Sequence, residues 1–271
     1  MDKVEVVIPT WNSMPELKES IESIPYAFKG LKVEIYIVDN SSTDGTREWA
    51  EENGCHVLTD TRSLGSARLT GAKQVEGDSF FFIDSDIILP YSWYKSFDKY
   101  YKKLIKKHDN VGMVFGTTLN INPKMKKMQE WKTPINPRLL KSGERAWTNN
   151  TWIKTDLVLS ADIEDNSGWE DWMIAQNVMN HGYRVYHIPL SCIHNHSTVS
   201  KWGFVRSGWC AKGMMDVMGL NLYSFKYLNY YPYQGLTATI KFKDLYYLKW
   251  GLITWKEVMQ GVLNLKTFSR K

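Results

Sequence analysis

Cysteine is scarce in this chain: Cys55, Cys192 and Cys210 are odd in number and lie far apart. That excludes a disulfide framework and a zinc site built on cysteine pairs, and it points to a reducing compartment. Long apolar runs are lacking too. No stretch reaches the ~18 uninterrupted apolar residues needed to span a bilayer, and a strand-like run begins within the first few residues, leaving no room for a signal peptide. A cytoplasmic location follows. Neither sign of charge dominates: 34 Lys and Arg against 29 Asp and Glu give a net charge of +5. This permits attraction to an anionic lipid or a diphosphate but falls short of a nucleic-acid-binding surface. No long segment has a disordered composition, and 43% hydrophobic content over 271 residues suffices for one large domain, or one of ~200 residues with an appendage.

The first ninety residues alternate short β-branched runs with helical patterns. Val4 to Ile8 and Val33 to Val38 are strands. Between them Ser13, Pro15 and Glu16 spell a helix start, with Ser13 as N-cap and Glu16 closing a capping box, followed by Leu17, Ile21 and Ile24 at helical spacing. Cys55 to Leu58 is a third strand, Ser66 to Val75 a helix, and Ser79 to Ile83 a fourth strand. Such alternation predicts a parallel sheet wound on both faces, with ligands bound beyond the carboxyl ends of its strands. Three polar clusters follow three of these strands: Pro9-Thr10-Trp11-Asn12, the turn from Asp39 through Ser41 to Asp44, and Asp84-Ser85-Asp86. All should line one edge. Asp39 there can accept from a nucleobase, and the turn hydroxyls can serve a ribose; the plainer alternative is that they cap the next helix.

Phe80 to Asp86 reads Phe-Phe-Phe-Ile-Asp-Ser-Asp. Alternation along an extended backbone would place Asp84 and Asp86 on the same side, where two carboxylates repel unless a cation or donor sits between them. Hard oxygen ligands suit Mg²⁺ or Mn²⁺, ions that commonly come with a phosphate-bearing substrate. Arg68, at the start of a helix without bulky residues, stands where a diphosphate could be met.

Further on, Lys95 to Lys107 is an amphipathic helix with a basic face, and Val111 to Leu119 is a strand. The polar stretch 120–150, broken by Pro123, Pro134 and Pro137, reads as an acceptor-facing loop. Glu170 and Asp171 open a helix and are flanked by Trp169 and Trp172. Acidic residues in a first turn are favoured by the helix dipole; the chemical alternative is a carboxylate base that takes the proton of an attacking hydroxyl, with indoles stacking on sugar rings. After the strand Arg184 to Ile188 comes His194-Asn195-His196, a fair ligand geometry at a strand end, with His194 the first choice and His196 the alternative. Histidine among oxygen ligands tilts the preference toward Mn²⁺.

Four segments together carry a resemblance. Val-Val-Ile-Pro-Thr-Trp-Asn at 6–12, Ile-Val-Asp-Asn-Ser-Ser-Thr-Asp-Gly-Thr at 37–46, Gly-Ser-Ala-Arg-Leu-Thr-Gly-Ala at 65–72 and Phe-Ile-Asp-Ser-Asp at 82–86 resemble the successive signatures of glycosyltransferase family 2, in that family's order. The resemblance implies a GT-A fold of α/β class, with a Rossmann-like nucleotide-binding half, a mixed, mainly parallel central sheet and a C-terminal helical extension. It implies an inverting transferase that moves a sugar from a nucleotide-diphosphate sugar, a UDP-sugar first, to a saccharide or lipid-linked glycan, with Mn²⁺ or Mg²⁺. On that basis Pro9, Thr10 and Asp39 hold the nucleoside, with Asn12, Ser41 and Ser85 at the same edge. Arg68 and Asp84 approach the ribose and diphosphate, and Asp86 binds the metal with His194 or His196. Asp171 is the base, Glu170 supports it, and Trp169 and Trp172 meet the acceptor.

The domain expectation is a catalytic domain at 1–200, divided into a donor half at 1–90 and an acceptor half at 91–200, followed by an amphipathic helical region at 201–271. In that last region Leu245, Leu248, Leu252, Trp255, Met259, Val262 and Leu265 form one apolar stripe among lysines. It leaves two readings open: an in-plane helix on the cytoplasmic face of a membrane, or packing on the catalytic domain or on a second copy in a homodimer. Two rival functions would leave different residues in the sequence. A nucleotidyltransferase would carry a glycine-rich loop with Arg and Lys after the first strand, where this chain has Pro9-Thr10-Trp11-Asn12. A silent glycan-binding scaffold would be free to lose Asp84, Asp86 and Asp171, and all three are present.

Overall fold

A computed structural model describes residues 3–195 and 201–263. The strands are β1 (Lys3–Thr10), β2 (Lys32–Asp39), β3 (His56–Thr59), β4 (Ser79–Ile83), β5 (Ile87–Ile88), β6 (Val111–Asn120), β7 (Arg138–Leu139), β8 (Asn150–Lys154) and β9 (Arg184–His194). The helices are α1 (Glu16–Ala27), α2 (Thr46–Glu52), α3 (Leu64–Ala72), α4 (Trp93–Ile105), α5 (Pro123–Lys132), α6 (Thr155–Leu159), α7 (Glu170–Asn180), α8 (Lys201–Met218), α9 (Leu222–Leu228), α10 (Tyr230–Phe242) and α11 (Tyr246–Val262). Two compact units result. One holds residues 3–166 and 170–195; the other holds 167–169 and 201–263. The three residues 167–169 thus go with the C-terminal helices although they lie far from them in sequence.

The first unit is built on one nine-stranded sheet in the order β3-β2-β1-β4-β8-β6-β9-β5, with β7 pairing to β9. β1, β2, β3 and β4 are parallel; β8 inserts antiparallel between β4 and β6, and β6 runs parallel to β9. The sheet is mixed and mainly parallel. Alternation along the apolar run of β4 feeds two cores: Phe81 and Ile83 join the layer containing Leu17, Trp93 and Phe97, while Phe80 and Phe82 join the layer under α3 and α7. Phe81 meets Phe28 edge-on at 5.3 Å and Phe97 at 5.0 Å. Each fully buried phenylalanine contributes about 2–3 kcal/mol, so the strand that carries the acidic motif is anchored on both faces.

Local structure departs from the sequence expectation in three places. Ser13 does not cap α1; its Oγ accepts from Trp11 N at 3.2 Å and pairs with Ser85 Oγ at 3.0 Å, so the hydroxyl is used across the sheet edge. The 120–150 stretch is not an irregular loop throughout: Asn122 caps α5 by accepting from the amides of Lys124 and Met125, Pro123 takes the first turn, and Met125 and Met128 are buried. β5 went unforeseen because two residues carry no periodicity. In the C-terminal unit a Cβ at Gly261 would fall on the Gly208 carbonyl oxygen, and one at Gly235 would lie 3.1 Å from Gly251 Cα, so glycine is where helix backbones meet.

That close approach also relocates the buried face of α11. Tyr247, Trp250, Gly251, Thr254, Val258 and Gly261 are inside, whereas Leu245, Leu252 and Trp255 of the expected stripe are exposed. Leu265 lies outside the described residues. Small residues won the interface because they let backbones approach, and dispersion falls steeply with separation. No helix among the described residues is long and apolar enough to cross a membrane.

Candidate active site

Strand register assembles the site. Thr10 pairs with Asp39, and Asp39 with Thr59, so the carboxyl ends of β1, β2 and β3 are level. Asp39 is fully buried, and its carboxylate accepts from Thr10 Oγ1 at 3.1 Å, Ser42 N at 2.9 Å and Ser42 Oγ at 2.5 Å. Pro9 and Thr10 are the last two residues of β1, with Thr10 directly opposite Asp39. Asn12 and Ser41 both adopt left-handed backbone, with φ of 46° and 52°. Asn12 Oδ1 accepts from Thr43 N at 2.8 Å, and Asn12 N donates to Ser42 Oγ at 2.7 Å, which ties the loop after β1 to the turn after β2.

Next along the edge stands Arg68, on the first turns of α3. A buried carboxylate from the end of β3 holds this helix. Asp60 accepts from Ser66 Oγ at 2.7 Å, Thr70 Oγ1 at 2.7 Å and Arg62 Nη2 at 2.8 Å. Burial by itself would raise the Asp60 carboxyl, but the bonds from Arg62, Thr70 and Ser66 prevail and hold it well below the usual range. Gly65 lies so close to the 163–166 backbone that an added Cβ would strike the Ile163 carbonyl oxygen. Arg68 is 2% exposed. Its Nη2 donates to Asp84 Oδ1 at 3.1 Å, its Nε lies 3.5 Å from Glu170 Oε1, and its guanidinium stands 5.0 Å from the Phe82 ring centroid. Its Nη1 is buried without a partner among the described residues. A buried guanidinium with an unused donor is equipped for one more anion.

The acidic motif is arranged otherwise than alternation implied. The chain leaves β4 at Ile83 and turns, with Ile87 N donating to Asp84 O at 3.1 Å, so Asp84 and Asp86 are not successive positions on a strand. Asp84 pairs with Arg68. Asp86 is carried by β5 to β9, where Ile87 pairs with His194, and His194 Nε2 comes within 2.9 Å of Asp86 Oδ2. The buried Cys192 thiol is pushed up to about 12, first by burial and further by the charges of Asp84 and Asp86. Ser85 Oγ reaches Ser13 as described. His196 lies outside the described residues.

Among the described residues, no group of three or more His, Cys, Asp or Glu side chains is arranged to hold a metal ion. The Asp86–His194 pair supplies one oxygen and one nitrogen facing each other. Mg²⁺ and Mn²⁺ are often held by one or two protein ligands, the other positions going to phosphate oxygens and water. The pair fits a cation that arrives with a diphosphate and does not fit a closed structural site.

Glu170 and Asp171 occupy the first turn of α7. Glu170 is 4% exposed, and its carboxyl is raised above the ordinary glutamate range, first by burial and then by Asp171, against the pull of Arg68. Asp171 is clamped by a residue that sequence reasoning passed over: Arg145 Nε donates to Oδ1 at 3.0 Å and Oδ2 at 2.9 Å, and Nη2 lies 2.8 Å from Oδ2. Arg145 and Asp60 gave no sequence signal, since each is a single charged residue in a polar stretch. Trp172 is half-buried, with Nε1 donating to Gly143 O at 3.0 Å. Trp169 does not offer a sugar a face. It is buried, and its ring meets Tyr227 edge-on at 5.1 Å, so the stacking role expected of it is corrected.

The family model described as Glycosyl transferase family 2 matches residues 5–156. Over 94 residues the chain is 37% identical to a dolichol-phosphate mannosyltransferase of Pyrococcus furiosus, a match covering 32% of this chain and 27% of that protein. The aligned part is thus about a quarter of the relative's length. Among solved structures, mannosyltransferase PcManGT from Pyrobaculum calidifontis, in complex with GDP-Man and Mn²⁺, aligns with a TM-score of 0.57 at 20% identity over 98% of this chain and 76% of that one. Glucosyl-3-phosphoglycerate synthase from Mycobacterium tuberculosis, in complex with Mn²⁺, UDP and phosphoglyceric acid, gives 0.55 at 18% identity over 81% of this chain and 80% of that one. At these identities the two structures establish a shared fold.

Proposed function

Because this chain belongs to glycosyl transferase family 2, we propose that it is an inverting glycosyltransferase that takes a nucleotide-diphosphate sugar as donor, a UDP-sugar first, and a saccharide or lipid-linked glycan as acceptor. One observation carries the reading: a single buried arginine, Arg68, joins the end of β4 to the start of α7 through Asp84 and Glu170. Donor-side and acceptor-side carboxylates are thereby brought around one cation, as displacement at a sugar carbon flanked by a diphosphate and a base requires.

In this reading Asp39, Thr10 and Pro9 receive the base of the nucleotide, Asn12, Ser41 and Ser85 border it, and Arg68 meets the diphosphate with its unused Nη1. Asp171 takes the proton of the acceptor hydroxyl as that oxygen attacks the anomeric carbon from the face opposite the leaving group. Glu170, held by Arg68, fixes the start of α7, and Trp172 borders the acceptor. Asp86 with His194 would hold a divalent cation, Mn²⁺ or Mg²⁺, which when bound offsets charge on the departing diphosphate. The two structural neighbours, one in complex with GDP-Man and Mn²⁺ and the other with Mn²⁺ and UDP, support the metal reading.

Asp171→Asn tests the assignment. Donor binding, read by thermal shift across UDP-, GDP- and dTDP-sugars with Mn²⁺ present, should stay near wild type. Sugar transfer should drop by about 10²–10⁴-fold. Unaltered turnover would remove Asp171 as the base.

The C-terminal unit supports a second, separate proposal, contact with an anionic membrane surface. Tyr233, Leu236 and Ile240 on α10 are exposed, as are Leu245 and Leu252. Lys241, Lys243, Lys249 and Lys256 are exposed alongside them. Aromatic and aliphatic side chains interleaved with lysines suit a lipid headgroup layer.

A further inference from the structure

Among the described residues, three N–H protons reach the Asp171 carboxylate. Arg145 Nε shares its proton between Oδ1 at 3.0 Å and Oδ2 at 2.9 Å, Arg145 Nη2 lies 2.8 Å from Oδ2, and Trp172 N donates to Oδ1 at 2.7 Å. A carboxylate offers about four lone-pair sites, so one stays open for a hydroxyl. Turning the carboxylate about its Cβ–Cγ bond would break the contacts to both oxygens. The open site therefore has a set position.

Arg145 is in turn held by its own segment. Arg138 Nη1 donates to the two oxygens of Glu144 at 2.9 and 3.0 Å, and Lys141 N donates to Glu144 Oε2 at 2.8 Å. This closes a turn in which Gly143 takes left-handed backbone, with φ of 84°. Gly143 N donates to Gln176 Oε1 at 2.8 Å, Gln176 Nε2 donates to Glu144 O at 3.0 Å, and Trp172 Nε1 donates to Gly143 O, so the turn is strapped onto α7. On the far side of Arg145, Ala146 is fully buried. The guanidinium thus starts from a backbone fixed on both sides.

Charge gives the clamp a second effect. Glu170 and Asp171 are adjacent buried carboxylates, and each disfavours ionisation of the other unless a cation attends it. Glu170 has Arg68 Nε at 3.5 Å, whereas Asp171 has the closer, two-pronged contact with Arg145. The Glu170 carboxyl is raised first by burial and then by Asp171, and Arg68 and Arg145 oppose the rise. Asp171 is the better-paired anion of the two, and a proton acceptor has to be ionised.

We propose that Arg145 is a positioning residue for the transfer: its guanidinium fixes the plane of the Asp171 carboxylate and keeps it charged, so that the remaining lone pair meets the acceptor hydroxyl. The proposal rests on the reading of Asp171 as the base. Arg145 acts through Asp171 and touches neither sugar nor diphosphate. The hydroxyl proton passes to the open site as its oxygen bonds to the anomeric carbon, and the diphosphate leaves with the electron pair of the broken C–O bond.

The test uses the full chain with Mn²⁺ and whichever of UDP-, GDP- or dTDP-glucose gives the largest thermal shift. Water serves as the acceptor, and release of the nucleoside diphosphate is followed. Calorimetric donor binding counts the folded sites, so that kcat is expressed per site. Arg145→Met should lower kcat about 10²-fold while the donor KM stays within about twofold. The acid limb of its kcat profile should move to higher pH, because the cation that favours the charged carboxylate is gone. Arg145→Lys keeps the charge without the fork. Its kcat should fall between the other two, with the acid limb where wild type has it, and it decides the matter if Arg145→Met does not fold. In an Asp171→Asn background, Arg145→Met should cause no further loss, since the two residues act as one unit. Wild-type kcat in Arg145→Lys, an unmoved acid limb in Arg145→Met, or a further loss of about tenfold in the double variant overturns the proposal. Failure of the base assignment is read separately, as wild-type turnover in Asp171→Asn alone.

Discussion

Replacing Arg68 by methionine should destabilise the first unit through a charge left behind more than through lost packing. Methionine keeps much of the aliphatic volume over Phe82, and the cation–π contact at 5.0 Å contributes about 0.5–2 kcal/mol. The larger effect is at Glu170. Its carboxyl is already raised by burial and by Asp171, with Arg68 the opposing influence. Breaking a buried pair by removing one partner costs about 3–5 kcal/mol. With roughly 2–4 °C per kcal/mol for a chain of this size, the transition should fall by about 6–20 °C. Two controls separate charge from packing. Arg68→Met combined with Glu170→Gln should recover more than half of the loss. The cost should also depend on pH. A carboxyl whose folded value lies above its unfolded one stabilises the fold in its protonated form. That contribution is present below the ordinary glutamate value of about 4.3 and is lost as pH rises through the raised folded value. Removing Arg68 raises the folded value further, so the variant should lose more at pH 8 than at pH 5. Urea unfolding of the four proteins at both pH values, followed by tryptophan fluorescence, decides the matter. Additivity of the two substitutions within about 0.5 kcal/mol, or a pH-independent cost, would refute the uncompensated-charge argument.

Asp60→Asn should cost about 3 kcal/mol at neutral pH, since several bonds to a charged acceptor are lost or weakened. Because the folded carboxyl lies below its unfolded value, wild type should lose this advantage as pH falls below about 4; parallel acid-unfolding curves for the two proteins would argue against it. Chelation by EDTA should abolish the donor-induced thermal shift, and His194→Ala should require more Mn²⁺ to restore it; full activity with EDTA present would remove Asp86 and His194 as ligands. Ile240→Glu together with Leu252→Glu should reduce flotation with phosphatidylserine vesicles while leaving phosphatidylcholine background unchanged; identical flotation would detach the C-terminal unit from any lipid role.

What the order of residues determined alone is the strand–helix rhythm of the first ninety positions and the types of group at the ends of β1, β2 and β4. Local patterns suffice there, since period-2 and period-3.6 burial and turn chemistry act within a few residues of each other. Asp39, Arg68, Asp84 and Glu170 were legible as candidates for that reason. Their partnerships were not. That Arg68 lies between Asp84 and Glu170, that Asp86 turns to His194 through the two-residue β5, and that Arg145 occupies Asp171 all depend on contacts between residues 16 to 108 positions apart. The same holds for the face α11 buries, which was settled by where glycines let helices touch and not by its own hydrophobic stripe. Charge pairing and backbone approach operate through space, so only the folded chain could choose among the partners its sequence offered.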